Sequence, residues 1–297
     1  MSAARSTGAQ PAHRHRAWRD LLAVERPLLL PCAHDALSAR LIERAGFKAY
    51  SIGGFPLVGA RHALPDVGLV GLAEMSAGMR DIVAATSLPV LIDADDGYGD
   101  VKNVTRTIET YEEMGAAAIF IEDQVAPKRC GHMAGKDVVP SAAMENKIRA
   151  AAAARRGPET FLVARTDARA VHGIDEALRR AERYLKAGAD GIFVEAPESE
   201  DELKRVGAEF RHVPQIANML EGGRTPLIAP SELHAMGFAM VAYPTSLIFR
   251  VARTIERALA DMRAGRLVLG NDGVGFEEFK DIAGYASWAD VEARFAR

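Results

Sequence analysis

The feature that most constrains this chain is an alternation that recurs eight times. Short apolar runs of four to seven residues, bounded by turn residues, are each followed by an amphipathic stretch of helical period. The apolar runs are Arg26 to His34, Ala49 to Gly54, Pro89 to Asp95, A-A-I-F-I-E-D ending at Asp123, Thr160 to Asp167, Gly191 to Pro197, P-Q-I-A-N-M-L and Met240 to Pro244. Apolar runs of strand length alternating with helices mark a parallel sheet, because each parallel strand needs a crossover connection. Gly46, Gly115, Gly188 and Gly237 stand where helices should stop, and Asp35 where one should start. Eight units favour a closed (β/α)8 barrel, and no G-x-G-x-x-G follows the first strand to support a dinucleotide-binding sheet.

The chain is expected to divide into a flexible extension over 1–16, a barrel over 17–265 and a helical tail over 266–297. A short helix is expected over 17–25, a long loop after the second strand, and a last long helix from Leu247 to Arg263. The tail carries F-E-E-F-K and Y-A-S-W-A-D-V-E-A-R-F, aromatics that need a surface to bury against, such as a neighbouring subunit. A net charge of −3 in 297 residues gives no reason to expect a nucleic acid or an anionic membrane as partner. Two cysteines, Cys32 and Cys130, make no disulfide framework. The first residues have no apolar core of a secretory signal, and no run reaches the ~18 apolar residues of a membrane span. A reducing cytoplasm is the expected location.

Active sites of such barrels lie at the C-terminal ends of the strands. Here those ends are polar: Asp93 and Asp95, Glu122 and Asp123, Arg165 with Thr166 and Asp167, Glu195, Asn218, and Tyr243. Packing gives no reason for apolar strands to finish this way so often, although Asp123 and Asp167 each read most simply as helix caps. Asp93 and Asp95 are two apart, so in a strand they face one side and repel unless a cation lies between them. Glu122 on the next strand could complete the ring. An all-oxygen set selects Mg²⁺, with Mn²⁺ as the alternative, over Zn²⁺. Arg165 and Arg224 could each clamp a substrate carboxylate.

The run P-K-R-C-G-H-M from Pro127 to Met133 falls in a loop, so Cys130 is expected to be accessible. Lys128, Arg129 and His132 beside it are expected to lower its pKa toward the thiolate. Such a thiol suits general acid–base work on a carbon centre. Cys32 has no such neighbours and reads as a packed small residue. His62 lies in the loop expected after the second strand.

These residues carry a resemblance. K-R-C-G-H-M, together with D-A-D-D-G-Y-G, I-E-D-Q, A-R-T-D-A, E-A-P, A-N-M-L-E-G-G-R-T-P and Y-P in that order, resembles the isocitrate lyase / phosphoenolpyruvate mutase superfamily. The likeness is to its short-chain branch of methylisocitrate lyases, 2,3-dimethylmalate lyases and carboxyphosphonoenolpyruvate phosphonomutases, and it covers about Pro31 to Gly265. It implies a Mg²⁺-dependent carbon–carbon lyase acting on a small 2-hydroxy di- or tricarboxylate. A phosphonomutase and an oxaloacetate-type hydrolase or decarboxylase are the alternatives. It also implies homotetramers that exchange a C-terminal helix. By motif, Asp93, Asp95 and Glu122 would belong to the metal cluster, with Asp95 the direct ligand. Cys130 would be the catalytic thiol on a closing loop, with Lys128, Arg165 and Glu195 in the catalytic set. Gly131, His132, Asn218 and Asp66 would contact substrate or its network. Gly53, Gly54 and Phe55 fall where methylisocitrate lyases have a Ser-Gly-Gly type loop. The missing hydroxyl and the added Phe55 and Pro56 make a more apolar pocket than methylisocitrate would want.

Overall fold

A computed structural model describes residues 11–266 and 273–296. The expected extension over 1–16 therefore falls mostly outside the described residues, as does the start of the expected tail. In chain order the elements are α1 (Pro11–Val24), β1 (Leu28–Pro31), α2 (Ala36–Arg44), β2 (Tyr50–Ile52), α3 (Gly54–His62), α4 (Leu72–Ala84) and β3 (Val90–Asp93). Then follow α5 (Val101–Met114), β4 (Ala118–Glu122), α6 (Ser141–Ala154), β5 (Phe161–Thr166), α7 (Ala168–His172), α8 (Ile174–Ala187) and β6 (Gly191–Val194). The remainder are α9 (Glu200–Glu209), β7 (Ile216–Asn218), α10 (Pro230–Met236), β8 (Met240–Tyr243), α11 (Ser246–Arg263), α12 (Phe276–Ile282) and α13 (Tyr285–Phe295).

Every strand pairing is parallel. Strands β2 to β6 form one run in sequence order, and β1, β8 and β7 form another. Single parallel bridges at Cys32–Ser51 and Ile192–Gln215 join the two runs and close the circle. The eight expected strands are therefore all present, as a (β/α)8 barrel.

The strand period decides what fills it, because alternate residues face inward. Leu91, Phe120, Val163, Phe193 and Ile216 belong to one buried cluster with Leu28, Leu30 and Met240, and Trp18 of α1 joins it. The intervening residues, such as Ile192, Val194, Ala217 and Val241, pack instead with Leu178, Leu203, Phe210 and Leu233 of the surrounding helices.

Helix ends follow the local chemistry. The Asp35 side chain accepts from the Ser38 N–H and caps α2, and Gly115 ends α5 in the left-handed region at φ 92°. The loop expected after β2 is instead largely helix α3. Gly53 is its N-cap, and Pro56 lies in its first turn, where a missing N–H leaves no hydrogen bond unmade. His62 is exposed in the last turn of α3 and does not face the barrel mouth.

The chain divides into two compact units, Met1–Ser246 and Leu247–Arg297. The second contains α11 to α13 and exposes large apolar side chains, including Ile255, Leu259, Met262, Phe276 and Trp288, the last 70 % accessible. No helix among the described residues is long and apolar enough to cross a membrane.

Candidate active site

A cleft of about 640 Å³, counting its part open to solvent, lies at the C-terminal ends of the strands. Its polar wall follows from the same period of two. Asp93, Glu122, Arg165, Glu195 and Asn218 each stand two residues beyond an inward apolar residue, namely Leu91, Phe120, Val163, Phe193 and Ile216. Five neighbouring strands thus each end one rung above the apolar fill, and all five polar side chains line the cleft.

Asp95 arrives by another route. β3 stops at Asp93, and Asp95 sits in a turn with φ 47°. It does not line the cleft; its N–H donates to Asp93 Oδ1 at 2.9 Å. The other oxygen of Asp93 accepts the Gly54 N–H at 3.0 Å, so this carboxyl meets the N-terminus of α3. Lys128 Nζ bridges Asp66 Oδ1 at 2.7 Å and Asp95 Oδ1 at 2.5 Å. The ammonium is buried, and a Cβ on Gly54 would lie 3.1 Å from it. Gly54 is therefore small because acids and ammonium press against its backbone.

Arg165 is the hub of the other half. Its guanidinium reaches Glu122 Oε2 at 3.2 Å, Asp167 Oδ2 at 2.9 Å and Glu195 Oε2 at 3.1 Å, and lies over the Phe193 ring. Glu195 also receives the Asn218 amide at 3.3 Å and His132 Nε2 at 2.9 Å. The His132 ring accepts the Arg224 N–H at Nδ1 at 2.9 Å, which leaves Nε2 to donate. Burial acts to raise the Glu195 carboxyl, but Arg165 and then His132 outweigh it and hold Glu195 far below the ordinary carboxylate range.

The loop between β4 and α6 folds back over the cleft. Gln124 pairs with Val138 as a single antiparallel bridge, and the Gln124 side chain clasps the Arg129 backbone through two bonds of 2.8 and 2.9 Å. The Cys130 N–H donates to the Asp66 carbonyl at 3.1 Å. Gly131 lies flat against the hub: a Cβ there would stand 2.4 Å from an Arg165 nitrogen and 2.6 Å from Glu195 Cγ. Cys130, Gly131 and His132 all line the cleft, as do Gly53, Gly54, Phe55 and Asp66.

The thiol is the main correction to expectation. Burial, with Asp66 and Glu195 close by, pushes Cys130 up to about 11, against the lowering first expected from its sequence neighbours. Lys128 is turned to Asp66 and Asp95, and His132 to Glu195, so neither ring nor ammonium serves the sulfur. Cys130 is thus held as a thiol, not a thiolate, at neutral pH. Cys32 also lines the cleft; it accepts the Gly53 N–H at 3.1 Å and is pushed up to about 12 by burial.

Among the described residues no three acids, histidines or cysteines are arranged as a ready-made chelate. Lys128 stands between Asp66 and Asp95, and Arg165 covers one oxygen of Glu122. The donor chemistry nevertheless fits a hard divalent cation. Glu122 Oε1 is buried without a hydrogen-bond partner among the described residues. Among the described residues, the six carboxylates of Asp66, Asp93, Asp95, Glu122, Asp167 and Glu195 meet only Lys128, Lys136 and Arg165 as fixed cations. Mg²⁺ tolerates such a site because it keeps several waters and binds few protein groups directly.

The chain matches the phosphoenolpyruvate phosphomutase family model over residues 18–263. It belongs to the phosphoenolpyruvate mutase / isocitrate lyase superfamily. It is 41 % identical over 280 residues to the 2,3-dimethylmalate lyase of Eubacterium barkeri, covering 94 % of this chain and 96 % of that one. Among solved structures it is similar to an oxaloacetate acetylhydrolase bound to 3,3-difluorooxalacetate, with a TM-score of 0.89, 29 % identity and coverage of 94 % and 96 %. A phosphonopyruvate hydrolase complexed with oxalate and Mg²⁺ matches with a TM-score of 0.86, 28 % identity and coverage of 96 % and 99 %. The protein is an enzyme of the carbon–carbon lyase type.

Two contributors to the site were not picked out from the sequence. Asp167, expected as a helix cap, makes no cap bond with its side chain and instead holds Arg165 and Lys136. Lys136 sits in a polar loop with no periodicity to mark it. Asp123, the other supposed cap, is a buried anchor. It accepts from Thr166 Oγ1 and Tyr184 Oη at 2.8 Å and from Arg180 at 3.0 Å, and so steadies the start of α7. Arg224 braces the Cys130 loop through His132 and Glu198 and is not among the residues lining the cleft.

Proposed function

We propose that this enzyme cleaves the C2–C3 bond of an alkyl-substituted 2-hydroxy dicarboxylate of the 2,3-dimethylmalate kind, with Cys130 as the proton donor. One observation carries the reading: a protonated, half-buried thiol faces the same cleft as an ionised Arg165–Glu195 pair and a carboxylate cluster. Cleavage of such a bond leaves a carbanion next to a carboxylate, which needs a proton delivered at carbon. A thiol held protonated by burial and by neighbouring carboxylates suits that donation.

Asp93, Asp95 and Glu122 would hold Mg²⁺. When bound, the ion supplies Lewis-acid polarisation of the α-oxygen at which the carbonyl forms. The substrate hydroxyl gives its proton to a carboxylate lining the cleft, where Glu195 is held ionised by Arg165 and His132. The electron pair of that O–H bond becomes the carbonyl, and the C2–C3 pair passes to the departing enolate. Cys130 then protonates the enolate carbon, releasing a 2-oxo acid and a saturated carboxylic acid. Arg165 binds a substrate carboxylate, and Asn218, whose Oδ1 is buried without a donor among the described residues, lines the same cleft. Phe55, Pro56, Phe120, Phe193, Ile216 and Leu220 give the cleft an apolar side for alkyl substituents.

The test is a panel of 2,3-dimethylmalate, methylisocitrate and isocitrate with Mg²⁺, followed by release of pyruvate or glyoxylate. We expect turnover of the alkyl malate, loss on adding EDTA, and weak or no turnover of the tricarboxylates. The likeness to the oxaloacetate acetylhydrolase favours a second reading, hydrolysis of oxaloacetate, which oxalate release in the same panel would reveal. A phosphonomutase would show itself by phosphorus NMR on a phosphonopyruvate-like substrate. The exposed apolar residues of α11 to α13 suit a homotetramer that exchanges C-terminal helices, to be checked by light scattering.

A further inference from the structure

Lys136 lies six residues beyond Cys130, and its side chain is 1 % exposed although it belongs to a surface loop. Gly135 before it adopts φ 78°, and an added Cβ would meet the Arg129 guanidinium only at an ordinary contact distance of 3.6 Å, so the glycine is there for backbone direction, not for close packing. That turn sends the Lys136 side chain back beneath its own loop. The ammonium donates to the Gly131 carbonyl, and to Asp167 Oδ1 at 2.6 Å. Asp167 in turn accepts from Arg165 Nε at 2.9 Å and Nη2 at 3.1 Å. Arg165 reaches Glu195, Glu195 receives His132, and His132 is the residue after Gly131. The contacts therefore form a closed ring, three of whose members lie on the loop and three on the barrel.

We propose that Lys136 is the positioning residue that latches the Cys130 loop onto the barrel, through the Gly131 carbonyl and Asp167. Gly131 has room for nothing but hydrogen against Arg165 and Glu195, so the height of the loop over the cleft is set where its backbone is gripped. Lys136 grips the residue next to the thiol. Its other contact is to the acid that orients Arg165, so thiol and guanidinium are brought into register by one ammonium group. Lys136 itself touches no substrate and is absent from the residues lining the cleft. Loss of its charge leaves Asp167 still paired with Arg165, so a neutral variant retains a partnered buried acid.

The latch matters for turnover only if Cys130 is the proton donor proposed above, but its existence can be read without turnover. In Lys136→Met we expect kcat to fall by about 100-fold, as for an Ångström-scale misplacement of a catalytic group, with KM nearly unchanged. Alkylation of Cys130 by iodoacetamide, followed by peptide mass spectrometry, should quicken roughly tenfold or more as the loop opens. Lys136→Arg should recover part of both. Wild-type kcat together with a wild-type alkylation rate in Lys136→Met would overturn the proposal. Should that variant not fold, reductive methylation of the unaltered enzyme decides. Lys136 should be protected relative to Lys102, whose side chain is 85 % exposed; equal labelling of the two refutes the latch. An enzyme inactive on every 2-hydroxy acid would sink the lyase reading, while the alkylation and labelling results would still judge the latch.

Discussion

The strand ends and the Cys130 loop meet in one cleft but are held by different means. Asp93, Glu122, Arg165 and Asn218 are strand residues, and Glu195 directly follows one; the barrel's hydrogen-bond ladder places them. The loop from Gln124 to Val139 has one isolated bridge at its base. Above that its position depends on the Gln124 clasp, the Cys130 N–H to Asp66, and the seats of His132 and Lys136. A ladder of parallel pairings opens only with the fold, whereas a few side-chain contacts can open singly. In the mechanism proposed above, the Arg165-centred charge cluster sits on the part that stays and the proton donor on the part that lifts to admit substrate.

The sharpest way to break that comparison is at the sulfur. Cys130→Ser should lower kcat by ~10²–10⁴-fold, the span of general acid catalysis, while the Mg²⁺-induced rise in melting temperature persists. Turnover at the wild-type rate would remove the thiol from the chemistry. On the fixed side, Arg165→Met leaves three buried carboxylates without their guanidinium, which should cost about 3–5 kcal/mol in a denaturant titration. A cost under ~1 kcal/mol, the range of surface ion pairs, would mean the rim is not the rigid half.

Gly131→Ala tests the seam between the halves. The added methyl would meet Arg165 and Glu195 well inside contact distance, so the loop must rise. We expect a stability loss of ~1–3 kcal/mol or less, a lower kcat, and faster alkylation of Cys130. An alkylation rate equal to wild type would show that the loop does not depend on this contact.

The smallest effect concerns the acids alone. Burial, and then the neighbouring Asp95, raise the Asp93 carboxyl from 3.8 to about 6. Between those values the folded chain holds a proton that the unfolded chain has released, so this group's contribution to stability falls as pH rises through the window. A divalent cation beside Asp93 would supply the missing opposite charge. The decline of melting temperature across this window should therefore be shallower in Mg²⁺ than in EDTA. Parallel curves would detach Asp93 from the cation.

What could be read beforehand, and what could not, divides along the same line. Glu122, Arg165, Glu195 and Asn218 were legible because a strand's period of two and the rule that barrels work at strand ends are both local in sequence. Asp95 was expected on the same strand face as Asp93, but the strand ends sooner and a left-handed turn delivers it. Helix α3 is hidden in the sequence because Gly-Gly-Phe-Pro reads as a breaker, although proline in a first turn breaks nothing. The pairing of Asp167 with Lys136 is not legible, because nothing near either in sequence says that they meet; they are 31 residues apart.

By itself the sequence determined the succession of eight strand–helix units, the polar character of the strand ends and the presence of a thiol loop among them. These follow from periodicities and turn residues acting over a few positions. The tertiary structure decided which charges meet. It turned Lys128 toward Asp66 and Asp95, and His132 toward Glu195, and so left Cys130 protonated where its neighbours in the chain had argued for a thiolate. Burial and opposite charge set a proton's affinity, and both depend on distances across the barrel that the order of residues does not state.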